Sequence, residues 1–245
     1  MGRMPADEIV TFLSREDQVR RIADQRMVAF CQLPHQSDSQ SRNLLHAFPI
    51  IHHEPFHRLT VSPGLWRGVL DAADFLRSKG HIVYSPDLYN EAVFDDLEAA
   101  SKFAQDIGIP GMIQRTMAAA AKLPQDFINA GFSNSGASAG YLAGIRPGTR
   151  GCLLFHAALP LQMLGIAAWP KTVPVQLHYT RSDSWRNQQW IDQLSKDIQA
   201  SGASFEFFEC PVDGLLFTDP DMADYDAEAT SLLMERAAQF IAKQG

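Results

Sequence analysis

From about position 81 onward the chain alternates between two hydrophobic periods, and that alternation constrains the fold more than any other feature. Short apolar runs ending in turn residues occur at His81–Ser85, Phe127–Phe132, Cys152–His156, Val173–Tyr179 and Phe205–Glu209. These read as strands. Around them, apolar residues recur at the spacing of one helix face, as in Leu65, Val69, Ala73 and Leu76, and in Leu233, Ala237, Phe240 and Ile241. Strands that alternate with helices imply parallel pairing through crossover connections. The expected architecture is a doubly wound, mostly parallel α/β sheet. With 245 residues, 46% of them hydrophobic, the chain can bury one large core, and one main domain is expected.

The first 45 residues follow another pattern. Ser14 and Asp17 can cap a helix carrying Val19, Ile22, Ala23, Met27 and Phe30 on one face. Residues 34–42 are polar and serine-rich, as in a loop. Residues 1–45 are therefore expected to form a helical extension with a linker, and residues 46–245 the main domain. The extension reads as a packing helix, or as a lid or homodimer contact.

A net charge of −7 argues against nucleic acid as a partner, because neutralising phosphates needs clustered Lys and Arg. The longest apolar stretch, Cys152–Trp169, is interrupted by His156, Pro160, Gln162 and Gly165, so no membrane span is expected. Asp7, Glu8, Arg15 and Glu16 surround the only apolar patch near the start, unlike a secretory leader. Cys31, Cys152 and Cys210 form no CxxC pair. A reduced, cytoplasmic protein fits this pattern.

The densest chemical signal is Phe127-Ile128-Asn129-Ala130-Gly131-Phe132-Ser133-Asn134-Ser135-Gly136. An apolar strand runs into a turn of small residues, and Ala137–Leu142 then reads as a helix. This is the setting of a nucleophile elbow, which holds a serine in a strained backbone above the sheet. The helix that follows aims its N-terminus at a developing oxyanion, with Asn134 supplying a backbone donor. Ser135 stands where the G-x-S-x-G pattern has its second glycine.

Several blocks agree, in order, with one family. Gly131-Phe132-Ser133, Tyr141-Leu142-Ala143 and Arg146-Pro147-Gly148 resemble the elbow and helix of dienelactone hydrolases. The same holds for Ser85-Pro86-Asp87-Leu88-Tyr89, for the run from Leu154 to Pro160, and for the run from Val173 to Tyr179. Leu216-Phe217-Thr218-Asp219 and Asp224-Tyr225-Asp226 complete the resemblance, which spans Leu65 to Ile241. It implies an α/β-hydrolase fold and cleavage of a lactone or ester by a nucleophile–Asp–His triad, with no cofactor or metal.

The resemblance places the triad acid at Asp183, after the strand ending at Tyr179. An aspartate there can also cap a helix beginning near Trp185. The family histidine precedes the Leu-Phe-Thr-Asp block, and that position is Leu215. Leucine cannot accept a proton, so Ser133 lacks its usual general base. His156 and His178 fall in strand blocks and read as structural. Three outcomes stay open: a reaction that needs no acyl-enzyme, a non-catalytic binding protein, or a base supplied from elsewhere.

His52-His53-Glu54-Pro55-Phe56-His57 contains H-E-x-x-H. That zinc motif requires both histidines on one helix face, and Pro55 breaks such a helix. No metal site is expected. Instead Ile50 and Ile51 read as the end of a core strand, with His52–Glu54 opening an oxyanion loop. His53-Glu54 resembles the Gln-Glu pair of dienelactone hydrolases, so His53 or Glu54 is a candidate substitute base. Trp66, Tyr89 and Trp185 are candidate walls of an apolar pocket. The resulting expectation is a small-molecule enzyme with an incomplete triad, acting on an apolar, lactone- or ester-like substrate. A non-hydrolytic step of a biosynthetic or catabolic pathway is favoured: cyclisation, isomerisation or elimination.

Overall fold

A computed structural model describes residues 51–53, 67–86, 88, 97–123, 125–214 and 216–244. The expected N-terminal helix and linker lie outside these residues, as do Glu54, Trp66, Tyr89 and Leu215.

Six strands and five helices are described. They are β1 (Ile51–His53), α1 (Arg67–Ser78), β2 (His81–Val83), α2 (Leu97–Ala120), β3 (Phe127–Phe132), α3 (Ser135–Ile145), β4 (Thr149–Phe155), β5 (Val175–Thr180), α4 (Gln188–Ala200), β6 (Phe205–Cys210) and α5 (Ala227–Ala242). They form one sheet of order β2-β1-β3-β4-β5-β6. Strands β3 to β6 are parallel neighbours, in register at Phe132↔Phe155, Phe155↔His178 and His178↔Phe208. The strand–helix alternation seen in the sequence thus folds as expected, and the sheet is mostly parallel.

Side-chain alternation along the central strands feeds two hydrophobic layers. Leu153 and Phe155 of β4 join Ala73, Leu76, Leu233, Ala237 and Phe240 on the face covered by α1 and α5. Cys152 and Leu154 join Leu177, Tyr179, Ile191, Leu194 and Ala143 on the face covered by α3 and α4. Strands buried on both faces read as continuous apolar runs, which is how β3, β4 and β5 appear in the sequence. Helix α2 is broken at Gly108 (φ 67°, ψ 167°), two residues before Pro110. Among the described residues, no helix is long and apolar enough to cross a membrane.

One strand departs from the expected direction. β1 is antiparallel to both neighbours, with Ile51 opposite Ile128 and His53 opposite His81. It therefore runs from Ile51 towards the amino ends of the parallel strands. Sequence alone gives three apolar or aromatic residues no direction. Pairing with β2 and β3 decides it.

Candidate active site

The turn after β3 has the geometry that its sequence suggested. Ser133 has φ 50°, a left-handed backbone that costs a non-glycine residue roughly 1–2 kcal/mol. Its N–H donates to the Phe155 carbonyl at 2.8 Å, and its own carbonyl accepts from the Gly136 N–H at 2.9 Å. These bonds tie the turn to β4 on one side and to α3 on the other. Gly131 is required here: a Cβ would lie 2.4 Å from the Ser135 carbonyl oxygen and 2.6 Å from the Gly136 nitrogen. Ser135 fits where a second glycine was expected because its hydroxyl is buried and donates to the Phe132 carbonyl at 2.6 Å. The steric demand for glycine moves one residue on, to Gly136, where a Cβ would meet that of Ala157 at 2.1 Å.

Ser133 itself is half-buried, and its hydroxyl has no hydrogen-bond partner among the described residues. Asn134 sits at the N-cap of α3, and its side chain caps nothing. The start of α3 is thus positioned to present backbone donors near Ser133, the arrangement that binds a developing oxyanion.

Asp183 lies in the turn after β5, with its side chain fully shielded. Oδ1 accepts from the Trp185 N–H at 2.8 Å, and its backbone carbonyl accepts from Arg186 at 3.0 Å. The aspartate therefore organises its own turn. Helix α4 begins later than expected, at Gln188, with Asn187 accepting from the Trp190 N–H as its cap. Trp185 is 52% exposed, so its backbone rather than its ring serves this turn. The other carboxylate oxygen, Oδ2, has no hydrogen-bond partner.

What Oδ2 faces was not legible in the sequence. His156 Nδ1 lies 3.5 Å away, without the alignment of a hydrogen bond. His156 is one residue past the end of β4 and has φ 53°, so Ser133 and His156 are the two non-glycine residues with positive φ among those described. Its ring is wholly buried, edge-on to Phe217 (5.3 Å) and Tyr179 (6.2 Å). Neither ring nitrogen has a hydrogen-bond partner. Leaving a buried polar atom unpaired costs about 1–3 kcal/mol, so an aliphatic residue would pack this space at lower cost. Burial above all, then the nearby Asp183 charge, holds the Tyr179 hydroxyl protonated far above neutral pH.

His178 has the structural role expected for it. Its ring lies between Phe155 and Phe208, and Nε2 meets Gln176 Oε1 at 2.9 Å. Burial, then the Arg236 cation and His156, pushes it down to about 3. Asp213 and Gly214 are tied to the acid turn. Thr180 Oγ1 donates to the Gly214 carbonyl at 2.6 Å, and Ser182 Oγ donates to Asp213 Oδ1 at 2.8 Å.

The candidate base His53 is placed elsewhere by the strand register. Five residues of β3 separate Ile128 from Ser133, roughly 16 Å at about 3.3 Å per residue. β1 runs from Ile51 in the opposite direction, so the backbone of His53 lies farther still. The expected delivery of an oxyanion loop from the end of this strand to Ser133 is not what the antiparallel pairing produces. Among the described residues no group of three or more His, Cys, Asp or Glu side chains is arranged to hold a metal.

No protein-family model matches the sequence, and no curated protein matches it. Solved structures do. The chain is similar to a dienelactone hydrolase-like promiscuous phosphotriesterase from metagenomic libraries, at 16% identity and a TM-score of 0.61, over 81% of this chain and 98% of that one. It is also similar to a protein described as a dienelactone hydrolase from Klebsiella pneumoniae, at 16% identity and a TM-score of 0.56, over 72% of this chain and 81% of that one. Likeness at this identity is likeness of fold. The chain has the α/β-hydrolase fold in the form shared with dienelactone hydrolase-like proteins.

Proposed function

We propose that this chain is a small-molecule enzyme on a dienelactone hydrolase-like scaffold, with ester hydrolysis impaired and a non-hydrolytic step favoured. Cyclisation, isomerisation and elimination are the reaction classes that suit it. The observation that carries this reading is a strained serine elbow whose hydroxyl has no imidazole bonded to it among the described residues. The sequence agrees, since Leu215 stands where the family resemblance puts the histidine. Triad members act as a unit, so a serine without the family's histidine at position 215 loses most of its hydrolytic rate unless another base reaches it. Backbone donors at the start of α3 retain their use, because an enolate or alkoxide is stabilised as an acyl oxyanion is. The substrate expected is apolar and lactone- or ester-like.

The test is turnover of an activated aryl ester by the full chain and by Ser133→Ala. Slow turnover, changed little by the substitution, is expected. Fast turnover abolished by Ser133→Ala would sink the non-hydrolytic reading and make the protein a hydrolase with a relocated base.

A further inference from the structure

The ends of three adjacent strands bring together side chains that no single stretch of sequence contains. Ser133 follows β3, His156 follows β4, and Asp183 lies three residues past β5. The Ser133 N–H bonds the Phe155 carbonyl, and the His156 N–H bonds the His178 carbonyl, each at 2.8 Å. Ser133 and His156 therefore leave neighbouring strands, which are spaced about 4.8 Å apart, from matching left-handed positions. The facing atoms of His156 and Asp183, Nδ1 and Oδ2, are both buried, and each lacks a hydrogen-bond partner.

We propose that His156, oriented by Asp183, is the proton acceptor for Ser133, replacing the histidine that position 215 does not supply. With Nδ1–H directed at Asp183 Oδ2, the lone pair is left on Nε2. No hydrogen bond joins Ser133 Oγ to that ring. Catalytic hydrogen bonds of this kind often tighten only when substrate binds. In the step, the Oγ–H proton passes to Nε2 while an Oγ electron pair forms the bond to the electrophile. The Asp183 carboxylate stabilises the imidazolium. The inference does not rest on the non-hydrolytic reading above: it needs only that Ser133 can attack an electrophile, and it names the side chain that takes the serine proton when it does.

The experiment is the rate at which a fluorophosphonate labels Ser133 in the full chain, followed by intact-mass spectrometry. Labelling forms an Oγ–P bond and breaks the P–F bond. Fluoride leaves, and the serine proton goes to His156 and then to solvent. His156→Asn keeps a donor for Asp183 and tolerates the left-handed backbone, but it takes up no serine proton. It should label about 10²–10⁴-fold more slowly than the wild type, at a temperature where circular dichroism shows the variant folded. His156→Ala should be as slow, and free imidazole should restore at least about tenfold of its rate.

Labelling of His156→Asn at the wild-type rate overturns the proposal. So does failure of imidazole to rescue His156→Ala, or a wild-type Ser133 that never labels. Fast ester turnover lost in both Ser133→Ala and His156→Asn would overturn the non-hydrolytic reading and uphold His156 as the base. Labelling indifferent to His156→Asn, with slow ester turnover, would do the reverse.

Discussion

The carboxyl ends of β3–β5 and the α5 face of the same sheet obey different rules. Helix α5 satisfies its local requirements. Asp226 caps it by accepting from the Ala229 N–H at 2.8 Å, Glu228 lies in the first turn, and Ala229, Leu233, Met234, Ala237, Phe240 and Ile241 form one buried stripe. At the strand ends, two non-glycine residues hold left-handed backbones. Both His156 ring nitrogens and Asp183 Oδ2 are buried without hydrogen bonds, but so are His178 Nδ1 and Arg236 Nη1 on the α5 face, so it is the two left-handed backbones that separate the regions. Strain and unpaired groups of this kind persist where the surroundings over-determine them, and they cluster at functional sites.

The largest test of this contrast is acid. His178 sits on the α5 face, and its value of about 3 lies below the ordinary value near 6.5. As pH falls below about 6.5 the unfolded chain takes up a proton that the folded chain refuses. Stability is therefore complete above that pH and is lost as pH drops towards about 3, at up to about 1.4 kcal/mol per pH unit. Urea unfolding at pH 7, 6, 5 and 4 should show this slope, and His178→Asn should flatten it. An unchanged slope would move the acid sensitivity away from the α5 face.

The elbow can be broken directly. Gly131→Ala drives a methyl group into the Ser135–Gly136 backbone, which cannot yield as a side chain would. A loss of about 3 kcal/mol is expected, read from chemical denaturation. A loss below about 0.5 kcal/mol would show that the turn is pliant. The smallest effects should have opposite signs in the two regions. Asp226→Ala removes a satisfied cap and should cost about 1 kcal/mol. Ser133→Gly relieves a left-handed serine and should stabilise the fold by about 1 kcal/mol while abolishing labelling. Destabilisation by both would erase the distinction between the regions.

Much of this architecture was legible in the sequence. Strand β3 was read at its observed boundaries, and β4, β5 and β6 within two or three residues, because buried parallel strands are continuous apolar runs. Leu233, Ala237, Phe240 and Ile241 marked the buried face of α5, and the small residues around Ser133 marked the elbow. The turn function of Asp183 was also expected, although α4 starts three residues after Trp185. Two features lay outside the local pattern. The carboxylate that His156 faces was not legible, since nothing near it in sequence signals one. The direction of β1, which sets how far the His53 backbone lies from Ser133, was assumed rather than read.

The sequence by itself determined the order of strands and helices, the apolar face of each helix, and the serine turn, because these depend on periods and sterics within a few residues. Only the tertiary structure decided which way β1 runs and that His156 faces Asp183 across 27 positions. Those outcomes depend on strand pairing and register between distant segments, and local residue pattern carries no direct record of either.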